Sequence, residues 1–82
     1  MVTLADYATP IEGYQSVGCE EFTEDIGMPM LLDLDAGIKA LAGHPGGKLY
    51  VWHRMMHPLA GCGGWLVAVG DEVREIHETW VS

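Results

Sequence analysis

His53, His57 and Cys62 lie in the stretch YVWHRMMHPLAGCGG, residues 50–64, and they are the side chains of this chain best suited to chemistry. Two histidines four residues apart meet one metal ion when the backbone between them is helical. Pro58 and the preceding Leu49, Tyr50, Val51 and Trp52 favour a strand instead. On a strand the two imidazoles share a face about 13 Å apart, at ~3.3 Å per residue, too far to chelate one ion. A zinc site would then need Cys19 or Cys62 to converge on a histidine from a distance, with no CxxC pair to enforce it. Cys62 in AGCGG has the open flanks of a nucleophile that takes a histidine as its base. Glycines around a small residue also mark a bend where backbones pack closely, and that is the preferred reading. A metal or thiol protein using His53, His57 and Cys62 is therefore the third choice, and no catalytic residue, metal or cofactor is assigned. The loop GHPGGKL has a passing likeness to a phosphate cradle. It fails the pattern, because Ala42 stands where the first glycine belongs, Leu49 replaces Ser or Thr, and the loop follows a helix.

Charge is distributed less evenly than chemistry. Residues 1–38 hold Asp6, Glu12, Glu20, Glu21, Glu24, Asp25, Asp33 and Asp35 without one Lys or Arg, a block of −8. Residues 39–70 hold Lys39, Lys48 and Arg54 without an acid, a block of +3, and residues 71–82 carry −3. Like charges that have no opposite neighbour within a Debye length, ~8 Å at physiological salt, raise the local potential. An acidic face is the expectation. It would repel nucleic acid and anionic lipid and attract a basic protein surface, although acidity also serves solubility alone. Asp35 and Lys39 have the i,i+4 spacing of a helical ion pair, which would satisfy part of this charge.

The elements that must position these residues are read from pattern. The first thirteen residues, punctuated by Pro10 and Gly13, read as an irregular or extended arm. Tyr14 to Phe22 is a weak strand interrupted by Gly18, suited to an edge or bulge. Leu31, Leu34, Ile38 and Leu41 form the stripe of one amphipathic helix, with Pro29 in its first turn and Gly43 just past its end. The competing division makes Met30 to Leu34 a strand and Asp35 the N-cap of a shorter helix, because Gly37 weakens a long one. Leu49 to Met56 reads as a strand, PLAGCGG as a glycine-rich connection, and WLVAVGDEVREIHETWV as two strands turning at Gly70-Asp71. Neither face of the last strand is uniformly apolar, which suits an edge or a strand covered by a partner. The sum is an α+β domain spanning residues 1–82, one helix on a three- to four-stranded antiparallel sheet.

Size and composition narrow the function. With 82 residues, 49% of them hydrophobic and 20% charged, the chain suits one folded domain in which a deep enzymatic cleft is hard to build. The lack of Lys or Arg before Lys39 leaves no basic n-region, and the longest run free of charged residues and histidine, residues 58–70, is shorter than the ~20 residues of a spanning helix. A cytoplasmic location is expected, in the host cytoplasm if the protein is phage-encoded. Two cysteines define no disulfide framework. Trp52, Trp65 and Trp80 are core volume first and partner anchors second.

These features point to a small acidic, non-enzymatic inhibitor that occupies the basic surface of a larger nucleic-acid-handling protein. A phage-encoded antagonist of a nuclease or CRISPR complex, or an immunity protein, would act in this way, without contacting nucleic acid or membrane itself. The candidate binding residues are Glu12, Glu20, Glu21, Glu24, Asp25, Asp33 and Asp35. The alternative is a small assembly subunit that self-associates as a homodimer.

Overall fold

The computed structural model describes residues 1–23, 34–57 and 60–81. Four strands, β1 (Ser16–Glu21), β2 (Gly47–His57), β3 (Ala60–Val69) and β4 (Glu72–Val81), form one sheet in the order β1-β2-β3-β4. Every neighbouring pair is antiparallel. Helices α1 (Leu4–Ala8) and α2 (Leu34–Ala42) complete the α+β fold.

β3 lies inside the sheet because its sequence suits burial on both faces. Its run Gly63 to Ala68 is buried without interruption, and it holds no charged residue. Alternation then divides the core in two. One face carries Leu49, Trp65 and Val67 against Phe22 and against Ala36, Ala40 and Leu41 of α2. The other carries Trp52, Leu66 and Ala68 against Leu4 and Tyr7 of α1. These are the α2 face and the α1 face.

Glycine explains where the sequence expectation of a connection at PLAGCGG differs from the fold. Ala60 to Gly64 belong to β3, and a Cβ on Gly61 would stand 2.5 Å from both the carbonyl oxygen of Arg54 and the sulfur of Met55. The glycine marks close approach within a sheet, a signal that reads like a loop in one dimension. At the β3–β4 turn Gly70 has φ of 61°, and among the described residues none other than glycine has positive φ. Positive φ at the first turn residue alone suits a type II′ hairpin, so the Gly70-Asp71 turn is as expected.

The expected irregular arm contains a helix. Asp6 Oδ2 accepts the backbone N–H of Thr3 at 2.8 Å, closing one half of a capping box. Five residues are too few for periodicity to show, and tertiary contacts hold them instead. The Tyr7 ring meets Trp52 edge-on at 5.2 Å, and Arg54 lies 4.5 Å over Tyr7 while donating from Nη2 to the Asp6 carbonyl at 3.0 Å.

α2 also differs from its predicted stripe. Ile38 is 55% exposed, and the sheet is met by Ala36, Gly37, Ala40 and Leu41. A Cβ on Gly37 would lie 3.2 Å from Leu49 Cδ1 and 3.3 Å from Trp65 Cγ, so the small face lets the helix settle onto a large indole. Leu31, Pro29 and residues 30–33 of the competing strand Met30 to Leu34 lie outside the described residues, and Leu34 itself is the first residue of α2.

Candidate functional site

The geometry separates the groups that sequence proximity joins. His53 and Arg54 are consecutive on β2, paired with Gly63 and Cys62 of β3, so His53 projects from the α2 face and Cys62 from the α1 face. A sheet stands between them. His53 Nε2 lies 2.8 Å from Ser16 Oγ, and its ring covers Gly18, where a Cβ would come within 2.6 Å of His53 Cε1. That packing accounts for the glycine in β1. The side chain of His57 lies outside the described ones, and no group of three or more His, Cys, Asp or Glu gathers as a metal site among the described residues.

The thiols share the α1 face but occupy strands on either side of β2. Two strand spacings are about 9.6 Å, beyond the ~7 Å that a disulfide spans between Cα atoms. Both cysteines are free. Burial and then the adjacent Glu20 carboxylate push Cys19 up to about 11. Cys62 is raised by burial and then by its hydrogen bond to Glu78 and that carboxylate's charge, against a smaller opposite effect of Arg54. A nucleophilic cysteine needs the reverse shift.

The acidic residues are placed by three elements. Glu12 sits in a turn closed by the Tyr14 N–H on the Ile11 carbonyl at 3.0 Å, with Gly13 supplying the φ of 90°. Glu20 and Glu21 are exposed neighbours on β1 and therefore face opposite ways, Glu20 with the α2 face and Glu21 with the α1 face. Glu21 reaches Lys48 at 3.7 Å. Asp35 is exposed in the first turn of α2, where the helix dipole favours a carboxylate, and forms no ion pair with Lys39. Glu20 and Asp35 thus belong to one side of the molecule and Glu21 to the other. Glu24, Asp25 and Asp33 lie outside the described residues.

Topology turns the charge blocks into a spatial arrangement that spacing could not show. The acid-bearing strands β1 and β4 are the two edges, and Lys48 and Arg54 lie on the inner strand β2. The C-terminal acids, absent from the predicted binding set, therefore matter as well. Glu72 pairs with Arg74, and Glu75 Oε2 lies 2.8 Å from His44 Nε2.

Between α2 and β4 runs a groove of about 490 Å³ lined by Lys39, Ala40, Trp65, Glu75, Ile76 and His77. Trp65 is its apolar wall, and the His77 ring stacks on that indole at 5.2 Å. Among the described residues no helix is long and apolar enough to cross a membrane. No family model matches the chain, and no curated protein or solved structure shows significant similarity to it.

Proposed function

We propose that the protein is a small acidic inhibitor that binds the basic, nucleic-acid-gripping surface of a larger protein, as a phage-encoded antagonist of a nuclease or CRISPR complex, or an immunity protein, would. The observation that carries this reading is the set of exposed carboxylates Glu12, Glu20 and Asp35, none of which forms an ion pair among the described residues. Held by a turn, a strand and a helix, they present negative charge to solvent without a compensating cation. A surface built to neutralise phosphates offers Lys and Arg to such an array. Association between the two would be fast at low salt and weaken as salt rises.

The test compares the native protein with a variant carrying Glu12→Lys, Glu20→Lys and Asp35→Asn as baits in nuclease-treated bacterial lysate. The native bait should retain a nucleic-acid-handling protein at low salt and release it at high salt. The variant should retain none while keeping its thermal midpoint. Equal capture by both baits, or capture insensitive to salt, would overturn the reading.

A further inference from the structure

The outer edge of β4 is partly closed by the chain itself. Residues 2–4 run against its start: the Val73 N–H donates to the Val2 carbonyl at 2.9 Å, the Leu4 N–H donates to the Asp71 carbonyl at 2.9 Å, and Thr3 bridges Glu72. From Arg74 onward no backbone partner occupies that edge among the described residues. Arg74, Glu75, Ile76, His77 and Glu78 are all exposed, and Ile76 retains 43% of its surface in water. Between the β-bulges at Arg74 and Thr79, residues 75–78 form a regular open edge with an exposed apolar residue, a template for another strand. The opposite edge, β1, is six residues long and carries Glu20 and Glu21, which discourage pairing with a like edge.

We propose that this edge pairs with the same edge of a second copy, antiparallel and centred on Ile76, to give a homodimer with one continuous sheet. The two-fold axis of such a dimer runs perpendicular to the sheet, so residues on the α2 face meet residues on the α2 face. Only registers centred on a residue satisfy this. Centring on Glu75 opposes two carboxylates on the axis, and centring on His77 sets Ile76 against Glu78. Centring on Ile76 sets Ile76 against its own copy and each Glu75 against the other chain's His77, while Arg74, the extra residue of a β-bulge, keeps its own partner Glu72. Within the regular segment EIH, the carboxylate and the imidazole of one chain thus oppose those of the other as hydrogen-bonding partners.

Two of the facing groups already have partners on the α2 face of the single chain, which the dimer would have to share. His77 is held by its stack on Trp65, and Glu75 by His44 at 2.8 Å. Both lie on the α2 face, so the dimer would place two Glu–His contacts side by side across the seam. This inference does not depend on the inhibitor reading, since a dimer would display the acidic groups twice and a monomer once.

The experiment is sedimentation equilibrium of the full chain across a concentration series, alongside single and paired variants. The mass should rise from 8.9 kDa towards twice that value as concentration increases. Ile76→Lys, which puts like charges on the axis at an exposed position, should weaken the dimer at least about tenfold while leaving the far-ultraviolet spectrum unchanged. Glu75→Lys and His77→Glu should each weaken it, and the two together should recover part of the loss, because the exchanged charges again oppose. A monomer at every concentration would overturn the proposal. So would a dimer that Ile76→Lys leaves intact, or a paired variant no better than either single one. None of these readings involves capture of another protein, so failure here and failure of the inhibitor reading are separate events.

Discussion

Cys19 and Cys62 carry the residue-scale lesson, because small thiols in a glycine-rich sequence resemble reactive groups until their surroundings are known. Desolvation beside a carboxylate holds Cys19 at about 11, against an ordinary thiol value of 9.0, which leaves about a hundredfold less thiolate at neutral pH. Iodoacetamide should modify Cys19 in the folded protein far more slowly than in urea, and the folded rate should climb as pH rises towards 11. Rapid modification at pH 7 under native conditions would contradict this placement. The sign for stability follows from proton binding. The folded state keeps a proton that the unfolded chain gives up first, so this contribution is present below the ordinary thiol range and is lost as pH rises through it towards about 11. Stability measured by urea titration should therefore fall across that alkaline window, and Cys19→Ala should flatten the fall.

At the scale of elements, small residues decide which surfaces meet. Gly37 lies buried where α2 crosses Leu49 and Trp65, and the two contacts of its missing Cβ are tighter than ordinary packing. Gly37→Val should destabilise the domain by about 1–3 kcal/mol, because the added methyl groups must displace an indole or lift the helix. Chemical denaturation checks the magnitude, and Trp65 fluorescence checks the site. Gly61→Ala should be costly for a different reason: its Cβ would meet backbone, the Arg54 carbonyl oxygen, at 2.5 Å. Neither requirement was visible in periodicity. The hydrophobic stripe predicted Ile38 inward because apolar spacing was counted without the size of the opposing tryptophan, which demanded alanine and glycine there instead.

For the whole molecule, the controlling feature is a single sheet with a helix on each face. Leu66 and Val67 are neighbours on β3, both fully buried, and they face opposite sides. Each serves a separate half of the core. Leu66→Ala should cost about 2–5 kcal/mol by removing packing beneath α1, a large share of the roughly 4–12 kcal/mol that stabilises a domain this size. Val67→Ala should be felt chiefly under α2. Hydrogen exchange would separate the two, with the Leu66 variant loosening residues 4–8 first and the Val67 variant loosening residues 34–42. Equal loosening of both helices by both variants would mean that the halves act as one core.

Much of this architecture was legible from local pattern. Alternation and β-branched content located β2 and the paired strands from Trp65 onward, Gly70-Asp71 announced their turn, and Gly18 with a mixed final strand foretold edges at both ends of the sheet. Charge counting revealed the acidic blocks. These properties depend on neighbours in sequence, so one dimension sufficed. Tertiary structure alone decided that His53 and Cys62 lie on opposite faces, that Glu20 and Glu21 point apart, and that the cysteines are kept from each other by β2. It also decided that a five-residue helix forms where Arg54 and Trp52 wait to receive it. Each of those outcomes turns on strand register and on the shape of a distant partner, and a shift of register by one residue would reverse every facing without altering the sequence pattern that produced the strands.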